Sequence, residues 1–320
     1  MKLSLTSALF IAASWLLTVG GLQAGTDIKD TSVTPEVAPS TDQPISQELS
    51  VDTSWTGRST MKQGSATVGG VSSMNSDFNY VVSPQIKDGF LLRFGFDWER
   101  NSFGLYPGAS LPNTLQSTSA IIGADWAASD KIIIRAELHP GIYSDFVNVT
   151  GSDFDAPLQV GGTYLYSKDL QFIFGIQIDL KSSIPIIGIP GVRWQFADEW
   201  VLSLIPPKPQ IQYSVNNSLT LYVGSEILGG TYHLNDSFGT NHGQPNFNGN
   251  IAEYAEVRVG AGVTWKFIPT MSLDVSGGYV PYRNFTIHPD QVGFDVNNQS
   301  FHNNISHGAP YAEVGIKGEF

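Results

Sequence analysis

The final segment of the chain alternates without a break. Ala312, Val314, Ile316, Gly318 and Phe320 form one row, and Tyr311, Glu313, Gly315, Lys317 and Glu319 form the other. Successive side chains of an extended strand point to opposite faces, so this strand has one apolar face and one polar or charged face. The same period of two recurs upstream. Phe90, Leu92, Phe94, Phe96 and Trp98 oppose Leu91, Arg93, Gly95, Asp97 and Glu99. Leu170, Phe172, Phe174, Ile176, Ile178 and Leu180 oppose Gln171, Ile173, Gly175, Gln177, Asp179 and Lys181. Val257, Val259, Ala261, Val263, Trp265 and Phe267 oppose Glu256, Arg258, Gly260, Gly262, Thr264 and Lys266. Two-faced strands must cover their apolar side, with a second protein layer in water or with lipid in a membrane. Periodicity alone does not separate these cases.

Connection lengths and aromatic positions do. Short turns near residues 129–131, 167–169, 197–199, 216–218 and 268–270 alternate with longer polar stretches near 101–114, 144–156, 235–250 and 284–307. Aromatics crowd the short turns: Trp126, Tyr166, Trp194 with Phe196, Trp200, Trp265, Phe267 and the terminal Phe320. Amphipathic rings gather in this way where a membrane meets water, whereas a soluble sandwich has no reason to place them at one end. The expectation is an all-β, antiparallel transmembrane β-barrel with short periplasmic turns and long extracellular loops. From Phe90 onward about twelve strands can be drawn, and segments at 49–55, 66–71 and 78–82 raise the number to about fourteen, an even count being usual in such barrels.

Only 14% of the residues are charged, against about a quarter in an ordinary soluble domain. Beyond the N-terminus no run of about 18 apolar residues is available for a spanning helix. Residues 1–24 have the form of a secretory signal: Lys2, an apolar stretch from Ala8 to Val19, then Gly20, Gly21 and a small residue, Ala24, before the expected cut. A retained anchor is the alternative. Residues 25–47 are rich in Thr, Ser, Pro and Asp without periodicity and read as a flexible periplasmic tail, which leaves 48–320 for the barrel. The chain has no cysteine, which excludes a lipoprotein and a disulfide framework. Loss of Lys2 with the signal takes the formal charge from −12 to −13. Such a chain offers no basic footprint for nucleic acid and no polybasic patch for anionic lipid.

Proline interrupts the pattern between residues 184 and 213, at Pro185, Pro190, Pro206, Pro207 and Pro209. Proline cannot donate a ladder hydrogen bond and keeps to edges, ends and bulges. The expectation here is two tight external connections, at 184–190 and 206–209, between short strands. The alternative is a locally low wall with a lateral opening.

The polar rows supply the candidate functional residues: Arg93, Asp97, Arg135, Glu137, Asp179, Lys181, Glu226, Glu256, Arg258, Asp274, Glu313 and Lys317. Lining a pore, they would select solutes by charge; paired across strands, they would fill a closed lumen. Interleaved glycines (Gly95, Gly175, Gly260, Gly262, Gly315) leave room and favour the pore. Catalysis is not expected. The six histidines, His139, His233, His242, His288, His302 and His307, are scattered. The run from Gly239 to Gly243 is superficially similar to the His motif of outer-membrane phospholipases, yet lacks the Ser and Asn that should follow. His288, His302 and His307 are too widely spaced to predict a metal site, and no cofactor is expected. Asn297, Asn298, Asn303 and Asn304 suit turns, with glycan or ion binding as the alternative.

Phe320, as the last residue of an alternating strand, resembles the insertion signal read by the bacterial outer-membrane assembly machinery. That machinery and the outer-membrane lipid are therefore the expected partners. The span from Phe90 to Phe320 also resembles an uncharacterised family of bacterial outer-membrane β-barrels. The likeness rests on Ile187-Gly188-Ile189-Pro190-Gly191-Val192-Arg193-Trp194, Leu202-Ser203-Leu204-Ile205-Pro206, Leu221-Tyr222-Val223-Gly224 and the terminal Phe320. It implies a fold and a location and transfers no site residues. The functional expectation is a monomeric, passive pore for small hydrophilic solutes. The alternatives are a closed barrel whose loops bind a surface partner and, behind it, an outer-membrane lipid hydrolase.

Overall fold

The computed structural model describes residues 45–290 and 302–320. The expected signal, nearly all of the tail, and Asn297 and Asn298 lie outside the described residues. In chain order the strands are β1 (Ile45–Gln63), β2 (Ala66–Lys87), β3 (Phe90–Gly104), β4 (Thr114–Ser129), β5 (Ile132–Leu138), β6 (Gly141–Ser144), β7 (Phe154–Asp155), β8 (Leu158–Leu165) and β9 (Leu170–Ile178). They continue with β10 (Ile186–Ala197), β11 (Trp200–Ser203), β12 (Gln210–Asn216), β13 (Leu219–His233), β14 (Ile251–Ile268), β15 (Met271–His288), β16 (His302–His307) and β17 (Ala309–Glu319).

Neighbouring wall strands are antiparallel, apart from one parallel bridge between β6 and β13, and the last pairs with the first in register from Glu48↔Glu319 to Thr56↔Tyr311. The sheet thereby closes as a barrel of 14 strands. Seventeen segments give fourteen wall positions because β5–β6 and β16–β17 are each one strand with a bend, and β7 only flanks β6. The two ends of the wall lie side by side, Gln47 and Phe320 exchanging two backbone hydrogen bonds of 2.9 Å. The sequence segments at 66–71 and 78–82 are parts of one strand, β2, and among the described residues the first strand starts at Ile45.

The alternation has the expected sense. Phe94, Phe96, Phe172, Phe174, Ile176, Val259, Val314 and Ile316 all stand exposed on the outside. Arg93, Asp97, Glu99 and Arg258, from the opposite rows, are buried inside. No second sheet covers the outer row among the described residues, so the soluble sandwich is excluded. On β3 the row runs from Phe90 to Trp98, nine residues or about 26 Å along the strand, within the roughly 9–11 residues that a tilted transmembrane strand needs.

The wall has uneven height. β1 to β4 and β13 to β15 have 15–22 residues each. By contrast β8 has 8, β9 has 9, β11 has 4 and β12 has 7. Where the wall drops, Pro140 ends β5. The chain continues as β6, which stays with β4 but meets β13 directly at Ser144↔His233. The long-loop end is therefore a narrower ring than the short-turn end. An apolar core fills it: Met61, Val71, Phe103, Leu115, Tyr143, Tyr232, Tyr254, Phe285 and Ile287 converge there, capped from the loops by Leu111, Leu234, Phe238 and Phe247. Phe103, Tyr254 and Phe285 meet with ring centroids 4.8–5.0 Å apart.

The proline region corrects the sequence expectation. Pro190 is inside β10, not in a connection. Pro185 O accepts from Asp179 N, and stepping by two along an antiparallel ladder turns residues 187, 189 and 191 toward β9. Residue 190 faces away, where a missing N–H costs nothing. Residues 206–209 are not a loop standing clear of the sheet either. The Pro207 and Pro209 carbonyls accept from Ile227 N and Ser225 N of β13, both at 2.9 Å.

Candidate functional site

The inward charges assemble into two networks. In the first, Arg93 donates to Glu48 at 2.7 and 3.0 Å and to Glu137, while Arg135 makes two bonds of 2.7 Å to Asp125. In the second, Arg258 lies 2.6 Å from Glu256 and 2.8 Å from Glu313, Arg283 lies 2.7 Å from Glu256, and Lys208 reaches Glu226 at 2.6 Å and Glu313 at 3.2 Å. Tyr254 Oη also donates to Glu256, at 2.7 Å. Elsewhere on the inner wall Asn79 donates to Asp97 at 3.0 Å, and Tyr222 and Thr264 both donate to Asp274 at 2.6 Å on the strands of the second network.

Of the residues expected to line the lumen, these networks bring together Arg93, Arg135 and Glu137 on one side and Glu226, Glu256, Arg258 and Glu313 on the other. Asp97 and Asp274 stand apart on the inner wall. Asp179 caps the connection after β9, accepting from Lys181 N at 2.9 Å. Lys181 itself lies in that connection, its ammonium on the Ser152 carbonyl. Lys317 stands opposite Ser50 and Ser272 near the short-turn end. Alternation did not reveal Glu48, Asp125, Lys208 and Arg283. Arg283 points inward because β15 carries one extra residue opposite Val257–Val259, a bulge that resets the faces. Pro281 beside it was the available signal.

The aromatic set lies at the short-turn end. Trp126, Tyr166, Trp194, Trp265, Phe267 and Phe320 are exposed. Trp200 is half-buried, held between Phe196 and Tyr213.

Access to the lumen is asymmetric. Arg258, Arg283 and Glu256 are sealed in, whereas the Lys208 side chain is 41% exposed. Arg193, Gln210, Gln212 and Tyr222 beside it are also partly open. This open side meets a break in the wall. β10 joins β11 only from Arg193↔Ser203 downward, so its residues 186–191 are laddered on β9 alone. β13 above Ile227 is laddered on β14 and pairs with β6 only at His233. Among the described residues no strand stands between those two stretches. Residues 204–207 form the sill, and the 179–185 connection forms the lintel, fastened by Ser183 Oγ donating to Glu253 at 2.7 Å. Gly188 stands on the outward row at the edge of the break, where a Cβ would meet nothing within 4 Å, whereas the inward Ile189 beside it is only 2% exposed.

The histidines whose side chains are described do not converge. His233 Nδ1 pairs with Asp153 at 2.7 Å, His288 Nε2 lies 3.3 Å from Glu253, and His307 bonds the Pro281 carbonyl. Among the described residues no group of three or more His, Cys, Asp or Glu is arranged to hold a metal.

A protein-family model described as Domain of unknown function (DUF6268) matches residues 109–319. No curated protein matches the chain. Among solved structures, the COG4313 outer membrane channel from Pseudomonas putida F1 is 12% identical with a TM-score of 0.45, over 90% of this chain and 100% of that one. The Pseudomonas putida toluene transporter TodX is 11% identical with a TM-score of 0.39, over 93% and 96%. The NanC porin is 12% identical with a TM-score of 0.35, over 84% and 98%.

Proposed function

Because the chain belongs to a family of unknown function (DUF6268), we propose its role from geometry: an outer-membrane channel for small hydrophilic solutes, with its short turns in the periplasm. The exposed apolar band with aromatic rings at one end supports the membrane setting. The route is bent. The apolar core blocks a straight path through the long-loop end, and the solute moves between the lumen and the outside through the break between β10 and β13. The observation that carries this reading is the open side of the lumen at Lys208, Gln210 and Gln212, lying directly below that break. Glutamine side chains offer neutral hydrogen bonds, the Lys208 ammonium is already balanced by Glu226 and Glu313, and Arg193 adds a partly open positive charge. Such a surface passes polar solutes without holding them tightly.

Planar-bilayer conductance of the purified barrel tests the proposal. The chain lacks cysteine, so Gly188→Cys can be labelled with a bulky maleimide at one site. Current is expected from the unmodified protein and should fall on labelling residue 188, but not on labelling Phe94→Cys on the outer face of β3, on the opposite wall. Folded protein that inserts and stays silent would overturn the channel reading and leave the second one, a closed barrel whose long-loop end binds a surface partner. The apolar core is the observation that favours this second reading.

A further inference from the structure

Above the apolar core, the connection between β3 and β4 and the helical turn Phe238–Asn241 enclose a cleft of about 480 Å³, lined by Tyr106, Pro107, Ala109, Asn113, Asn241 and His242 among others. Its lining contains no Asp, Glu, Lys or Arg, in a chain whose net charge is −12. Ions and charged partners therefore gain little there, whereas neutral ligands bearing hydroxyls find what they need.

Two rings form the rigid part. Tyr106 packs against the apolar core, and its ring lies flat on Gly69 of β2, where a Cβ would come within 2.2 Å of it. Burial pushes the Tyr106 phenol above its usual range, so it remains a neutral hydroxyl. His242 stacks on Phe238 at 4.4 Å, and Phe238 belongs to the same core. The Nδ1 of His242 sits 2.7 Å from the Phe238 carbonyl. A carbonyl only accepts, so Nδ1 carries the hydrogen, and in the neutral imidazole Nε2 is then a lone-pair acceptor. The carboxamides of Asn113 and Asn241 are exposed, each able to donate and accept. Ser110 Oγ donates to the His242 carbonyl at 3.4 Å and ties the two walls together.

We propose that this cleft binds a neutral saccharide, with Tyr106 and His242 offering ring faces to the apolar side of a sugar and Asn113, Asn241 and His242 Nε2 meeting its hydroxyls. A ring face paired with carboxamides suits a molecule that is apolar on one side and hydroxylated at its rim. The volume matches a ligand of one or two rings, within the usual range for small-molecule pockets. The proposal does not depend on the channel, since the cleft lies on the far side of the core from the lumen.

The test is saturation-transfer NMR on the mature barrel folded in detergent, with glucose, galactose, N-acetylglucosamine, maltose and lactose as probes. Transfer to at least one sugar is expected. Asn113→Ala and Tyr106→Ala should each weaken it, Tyr106→Ala by about tenfold. Asn241→Cys, labelled with a bulky maleimide after folding, should abolish it, and no misfolding can account for that loss. Absence of transfer with every sugar would overturn the proposal. Transfer that persists in the labelled Asn241→Cys protein would overturn it equally, by placing the sugar elsewhere.

Discussion

Glu256 joins both buried arginines of the second network, and its neutralisation measures how dry that side of the lumen is. The carboxylate is fully buried and accepts four hydrogen bonds: from Arg258 at 2.6 Å, Arg283 at 2.7 Å, Tyr254 at 2.7 Å and Thr56 at 3.1 Å. Glu256→Gln keeps the shape and removes the charge. Arg258 retains Glu313 at 2.8 Å and Glu226 at 3.5 Å. Arg283 retains Ser73 Oγ at 3.1 Å and the Val71 carbonyl at 3.5 Å, neither of them charged. The loss therefore falls mainly on Arg283, a buried cation deprived of its carboxylate, and breaking such a pair costs about 3–5 kcal/mol. Guanidinium unfolding in detergent, followed by tryptophan fluorescence, should show this loss. Because the penalty arises from a stranded charge, Arg283→Met in the Glu256→Gln background should recover part of it. The double mutant should then fall short of the summed single effects by up to about 3 kcal/mol. If Glu256→Gln costs less than about 1 kcal/mol, as an exposed pair would, this side is hydrated and the picture of a filled lumen is wrong.

Two further outcomes probe the membrane setting. Val259→Arg on the outer row should cost about 2–4 kcal/mol in bilayer-refolded protein; inward Thr264→Arg should be milder and alter ion selectivity in the conductance assay. Equal tolerance at the two positions would contradict the assigned faces. Deleting Phe320, which is exposed and hydrogen-bonded to Gln47 only through its backbone, should lower the amount of barrel assembled in cells while leaving refolding of the purified chain into micelles unchanged. Equal loss in both measurements would make the residue structural instead of a signal to the assembly machinery.

The terminal strand shows how much alternation alone can settle. Val314, Ile316 and Phe320 face out and Glu313 faces in because the side-chain period of a strand is local, and nothing distant can change it short of a bulge. Short turns and their rings were legible for the same reason. Pro190 and Pro207 also signalled, since a residue without an N–H announces where a ladder can end; the break they border fits the low wall that stood as the alternative to plain external connections.

What sequence could not hold is partnership between distant strands. Thr56 meets Glu256 across 200 positions and Ser59 meets Ser306 across 247, and such encounters depend on barrel closure and stagger. The bulge that turns Arg283 inward, the contact of β6 with β13, and the loop residues Leu111, Phe238 and Phe247 sealing the top follow from the same closure. One chain thus wrote its two-faced wall residue by residue, while the filling of that wall and the position of its opening arose only when the ends met. Side-chain direction is a property of neighbours along the backbone; enclosure is a property of the ring.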